Sequence, residues 1–139
     1  VSHQSAAIGA MQNWFNLKQY PDAGGMLVLP TGAGKTFTAM RFICATVLSE
    51  GYKVLWLAHT HHLLEQAFSS LESEISHIAE PRRELRARVV SGTLGHQRVQ
   101  DVKASDDVLI GRYTAPIEKG IRSWRPSCLQ RGEAIRCVR

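Results

Sequence analysis

With 139 residues, 44% of them apolar, the chain can bury one core and reads as a single domain; no run of about 18 apolar residues offers a membrane span. The amino-terminal residues lack the basic start and short apolar core of a secretory leader, so the expected location is cytoplasmic and the cysteines are expected as reduced thiols. Cys44, Cys128 and Cys137 are odd in number and show no C-x-x-C spacing, which argues against a disulfide framework or a zinc knuckle.

Ala7, Ile8, Met11, Trp14 and Phe15 recur at helical spacing and predict a first helix, followed by the turn sequence Pro21-Asp22-Ala23-Gly24-Gly25. Met26-Leu27-Val28-Leu29 has the length and aliphatic character of a buried strand. It breaks at Pro30 into a loop with Gly32 and Gly34, after which Lys35-Thr36 opens a helix with Phe37, Met40, Ile43, Cys44 and Val47 on one broad apolar face. Gly51 is placed to end that helix. Val54-Leu55-Trp56-Leu57-Ala58 is a second buried strand. Leu63, Leu64, Ala67, Phe68, Leu71, Ile75 and Ile78 predict a long amphipathic helix capped by Thr60. Residues 88–90 and 108–110 are shorter strand candidates. Alternating strands and helices, with strands apolar throughout, predict an α/β fold: a parallel sheet sandwiched by helices, with ligands at the carboxyl ends of the strands.

The charge is divided unevenly. Residues 1–80 carry four Lys/Arg against six Asp/Glu, whereas residues 81–139 carry thirteen against six. Arg82, Arg83 and Arg86 stand in the basic cluster that opens the second half, which can follow a nucleic-acid backbone by counterion release or form a solvated face.

The chemistry concentrates in Leu27-Val28-Leu29-Pro30-Thr31-Gly32-Ala33-Gly34-Lys35-Thr36. A strand, a glycine-rich turn and a helix start point successive backbone N–H groups at one spot, and the helix adds the positive end of its dipole. Thr31, Gly32, Ala33 and Gly34 would wrap phosphate oxygens, the Lys35 ammonium can reach the β- and γ-phosphates, and the Thr36 hydroxyl can ligate Mg²⁺. These residues predict a cradle for a nucleoside triphosphate, with Lys35 and Thr36 the catalytic candidates. The general pattern G-x-x-x-x-G-K-[ST] is not fully met, because Leu29 stands at the first glycine position.

That departure resembles the form of the loop in superfamily 2 helicases and translocases, where Thr-Gly-x-Gly-Lys-Thr carries the cradle. His3-Gln4-Ser5-Ala6-Ala7-Ile8 is similar to the segment that precedes the loop in the DEAD/DEAH-box and type III restriction-subunit families, and the resemblance implies that Gln4 reads the adenine edge. The stretch from Val54 through His59-Thr60-His61-His62-Leu63-Leu64-Glu65-Gln66-Ala67 resembles the next family motif, a strand, loop and helix that touch the sugar-phosphate backbone of a single strand. By that match His59, Thr60 and His61 are nucleic-acid candidates, although the family often has Arg where His61 stands. His59, His61 and His62 could also suggest a metal, but they offer no fourth ligand. Asp106-Asp107-Val108-Leu109-Ile110-Gly111-Arg112 resembles a later family strand, with Arg112 in place of its terminal Thr.

Hydrolysis in this family uses an Asp-Glu pair after a later apolar strand, and the dipeptide Asp-Glu occurs nowhere in the chain. Asp106-Asp107 precedes its apolar run and so is expected at the amino ends of the strands. The expectation is an ATP-binding first RecA-like lobe over residues 1–119, incomplete at its carboxyl-terminal side, with residues 120–139 a tail of uncertain structure. The resemblance implies ATP and Mg²⁺ as cofactors and nucleic acid as partner, DNA in preference to RNA. It further implies an additional helicase lobe or a nuclease or methylase subunit in the parent protein, and no turnover of ATP by this chain. Two other readings stay open: a small-molecule P-loop kinase, and a nucleotide- or nucleic-acid-binding fragment without turnover.

Overall fold

A computed structural model of the chain describes residues 2–17, 24–79, 85–92, 95–112 and 137–138. Among these described residues three helices, α1 (Ser2–Leu17), α2 (Lys35–Phe42) and α3 (His61–Glu74), accompany four strands, β1 (Val54–Ala58), β2 (Ala87–Val90), β3 (Val108–Arg112) and β4 (Cys137–Val138). The strand order is β2-β3-β1-β4, and every pairing is parallel. Val54 lies opposite Val108 and Ala58 opposite Arg112, while Ala87 lies opposite Val108. The fold class is therefore the parallel α/β arrangement expected from the sequence. Among the described residues no helix is long and apolar enough to cross a membrane.

Alternation along the strands divides the core. Val54, Trp56, Val108 and Ile110 turn to the face covered by α2 and α3 and join Met40, Ile43, Leu48, Leu64, Ala67 and Leu71 in one cluster. Leu55, Val90 and Leu109 turn to the opposite face and pack with Leu57, Val99 and Val102. Helix α1 closes the main cluster through Phe15, whose ring meets Phe42 and Tyr52 edge-on at 6.0 and 5.4 Å.

Helix α2 continues without a break as a π-helical segment, Ile43–Leu48, and Gly51 ends it at φ 82°. The Gly51 and Tyr52 amides donate to the Leu48 and Val47 carbonyls, satisfying groups that the helix end would otherwise orphan. Cys44 is fully buried in this segment, and burial, reinforced by the charge of Glu74, pushes its thiol up to about 12.

Three sequence expectations are corrected. Residues 26–29 are not a strand: the segment 24–30 is irregular, with Met26 89% and Val28 78% exposed. Among the described residues no strand runs beside it, and an extended segment without a ladder partner cannot satisfy its backbone groups as a strand. The second correction concerns the end of α3. The helix stops at Glu74, whose buried carboxylate pairs with Arg41 of α2; the chain then tightens into the 3₁₀ turn Ile75–His77, leaving Ile75 exposed. Third, Phe37 does not join the buried face of α2. It is partly exposed beneath the Arg41 guanidinium, 5.3 Å from its ring centroid, and Thr38 takes the buried place.

At the amino ends of β2 and β3, Arg88 forks onto the buried Asp106: Nε donates to Oδ2 at 2.7 Å and Nη2 to Oδ1 at 3.0 Å, while the Lys103 amide donates to Oδ2 at 2.7 Å. Desolvation by burial alone would raise the Asp106 pKa, but the Arg88 fork and the Lys103 amide outweigh it and hold the carboxyl below its ordinary range. Because the folded state binds this proton less readily than the unfolded chain, the pair stabilises the fold above the ordinary carboxylate range. That contribution is lost as pH falls through the depressed value.

Asp106→Ala should lower stability at neutral pH by about 1.5–3 kcal/mol in urea unfolding, and the gap between parent and variant should close at acid pH. Cys44 should resist alkylation at pH 8 in the native chain and react only under denaturant, as read by mass mapping of the labelled thiols.

Candidate nucleotide and nucleic-acid site

The loop before α2 is built on two residues in the left-handed region. Gly32 has φ 78° and Gly34, at the helix N-cap, has φ 76° and ψ 40°, values that side-chain-bearing residues reach only at a cost. Between them the Ala33 amide donates to the Pro30 carbonyl at 3.1 Å, and the first helical bond runs from the Thr38 amide to the Gly34 carbonyl at 2.8 Å. Lys35 folds back over the loop, its ammonium donating to the Leu29 carbonyl at 2.7 Å and the Pro30 carbonyl at 3.1 Å. A positive charge, a helix N-terminus and two glycines without a Cβ thus share one concave turn, which fits a polyphosphate with its Mg²⁺ on the half-buried Thr36.

Gln4 comes to this loop across the fold. From α1 its side-chain amide donates to the Ala33 carbonyl at 3.0 Å, and a Cβ placed on Gly34 would lie 2.7 Å from Gln4 Nε2. The structure therefore brings Gln4, Ala33, Gly34 and Lys35 together. Beside them a cavity of about 580 Å³ runs from Lys35 and Thr36 to Trp56, Ala58 and His59 at the carboxyl end of β1, with Met11 and Trp14 of α1 on its wall.

Thr60 caps α3, its hydroxyl accepting from the Leu63 amide at 3.4 Å while its carbonyl accepts the Leu64 amide at 3.2 Å. His59 and Thr60 are exposed; His61 is half-buried, its ring 5.2 Å from that of His96. His96 in turn contacts Glu65 through Nε2 and Ser91 through Nδ1, the latter at 2.6 Å. No motif in the sequence marks Ser91 or His96, because the contact between His96 and Glu65 spans 31 residues and follows no local spacing.

Arg86 is not brought to this face. It precedes β2 at the opposite end of the sheet, where its backbone amide donates to Asp107 at 3.0 Å. Arg82 and Arg83 lie outside the described residues. Asp106 and Asp107 are at the amino ends, as the sequence order implied, and among the described residues no Asp or Glu lines the cavity beside Lys35 and Thr36.

Residues 1–115 match the family model described as type III restriction enzyme, res subunit. No curated protein and no solved structure matches the chain.

Gly34→Ala should weaken nucleotide binding more than Gly32→Ala. Both force a side chain into the left-handed region at about 1–2 kcal/mol, but only Gly34 carries Gln4 against it, whereas a Cβ on Gly32 meets nothing within 4 Å. In a Gln4→Ala background the difference should disappear, as read by nucleotide-dependent thermal shift.

Proposed function

Because the chain belongs to the type III restriction enzyme res-subunit family and carries an ATP-dependent helicase-type domain, we propose that it is the ATP-binding part of a DNA helicase or translocase. It would bind Mg-ATP on the loop at 31–36 and a nucleic-acid backbone at the carboxyl end of β1. The observation that carries this reading is the convergence of Gln4, two left-handed glycines and Lys35 on one turn at a helix start. The amides of residues 31–34 with the Lys35 ammonium would hold the phosphates, Thr36 would ligate Mg²⁺, and Gln4 would read the adenine edge. Bound Mg-ATP supplies a phosphoanhydride and a metal that neutralises charge on its oxygens. For Lys35 to serve, it exchanges the Leu29 and Pro30 carbonyls for phosphate oxygens, trading neutral acceptors for charged ones. His59, Thr60 and His61 would contact the nucleic-acid backbone, DNA in preference to RNA.

The same geometry supports binding without turnover by these 139 residues. No carboxylate among the described residues lines the cavity near Thr36 to orient a water, and Asp106 is committed to Arg88. Transition-state charge would call for further parts from another helicase lobe of the parent protein.

Lys35→Ala should weaken ATP binding by about 1.5–3 kcal/mol, roughly ten- to hundredfold in Kd by calorimetry; equal affinity for parent and variant sinks the cradle assignment. Thr36→Ala should reduce the Mg²⁺ dependence of binding more than metal-free binding. The parent chain should gain thermal protection from ATP yet release no phosphate above the Lys35→Ala background, with or without single-stranded DNA.

A further inference from the structure

A three-member hydrogen-bonded chain, Glu65, His96 and Ser91, joins two elements that the sequence leaves unconnected. Ser91 directly follows β2 at the carboxyl end of the sheet, and Glu65 lies one turn into α3 beyond His61. The backbone on the His96 side is fixed as well: the Ser91 amide donates to the Gln97 carbonyl at 3.2 Å, and the Gln97 amide to the Val89 carbonyl at 2.9 Å. His96 is therefore carried on a return segment laid beside β2. Its side chain is only 13% exposed, whereas that of Glu65 is 59% exposed.

Nε2 of His96 faces the Glu65 carboxylate and Nδ1 faces the Ser91 hydroxyl, so a single ring joins the two side chains, with the donor and acceptor roles set by its protonation. The ring of His61 lies 5.2 Å from this imidazole, centroid to centroid, so the two histidines are neighbours at the start of α3.

We infer that the Glu65–His96–Ser91 relay is a clamp that locks the start of α3 to the end of β2 and thereby positions Thr60 and His61 as one backbone-binding face, with His96 a positioning residue. This rests on the nucleic-acid reading proposed above. The clamp contains an acidic surface residue, Glu65. Removing a carboxylate near an anionic ligand strengthens binding if that carboxylate is a bystander. If Glu65 is the anchor of the clamp, its removal weakens binding instead.

The test is fluorescence anisotropy of a labelled oligo-dT titrated with the 139-residue chain at several salt concentrations. Glu65→Ala and His96→Ala should each weaken binding roughly fivefold, the effect of one net hydrogen bond. Neither should change the slope of log K against log salt, since no phosphate contact is removed. His96→Gln, which keeps one donor and one acceptor, should recover most of the affinity, and ATP-dependent thermal protection should stay at the parent value in all three. Tighter binding by Glu65→Ala overturns the clamp. So does a loss of about 0.7 in slope for His96→Ala, which would make His96 itself a phosphate contact, and so does failure of His96→Gln to recover. If His96→Ala does not fold, Glu65→Ala decides alone, because it alters an exposed side chain. No binding by the parent chain overturns the nucleic-acid reading and the clamp with it, whereas binding that is the same for parent and variants overturns the clamp only.

Discussion

Parallel pairing is the constraint on which the rest of this molecule depends. Two parallel neighbours cannot be joined by a tight hairpin, so the chain must leave β1 at its carboxyl end, cross over through α3 and re-enter at the amino end. Parallel orientation then gathers the segments that leave β1 and β2 at one end of the sheet and those that enter at the other. Thr60, His61, Ser91 and His96 share the carboxyl end for this reason, and Arg86, Asp106 and Asp107 share the amino end.

Each end is held by a different kind of interaction. At the amino end, Arg88 and Asp106 form a buried fork with defined geometry, and the Asp107 side chain accepts the Arg86 amide, so the acidic residues there fix strand entry. Between the helices, Arg41 of α2 pairs with Glu74 at the end of α3. At the carboxyl end the side-chain contacts join glutamate, histidine, serine and threonine, with Glu65 59% exposed. A scaffold end pinned by an ion pair on a buried carboxylate and an opposite end carrying polar loop residues is the division expected where loops carry function on a rigid sheet.

The nucleotide loop stands apart from that sheet in one respect. Its approach, 24–30, is not a strand among the described residues, yet the turn at 30–36 keeps its shape through local means: two positive-φ glycines, the Ala33 to Pro30 bond and the two carbonyl contacts of Lys35. Gln4 supplies a long-range tie, spanning 29 residues to Ala33. The family match over residues 1–115 takes in Gln4, the loop and the Thr60 segment.

By itself the sequence determined what is local. The period of apolar residues marked α1, β1, β3 and most of α3; Gly51 marked the end of the helix that follows the loop, Thr60 marked a cap, and the Gly32-Ala33-Gly34-Lys35-Thr36 run marked an anion-binding turn, because each depends on neighbours within a few positions. Whether an apolar run becomes a strand is not local. Residues 54–58 and 26–29 read alike, but only the first has a ladder partner in β3, and Met26 and Val28 are consequently exposed. The pairing of Glu74 at the end of α3 with Arg41 is likewise long-range, 33 residues apart. The tertiary structure alone joined His96 to Glu65, because that contact spans 31 residues and depends on how the segments after β1 and β2 meet at one end of the sheet, which no spacing in the sequence encodes.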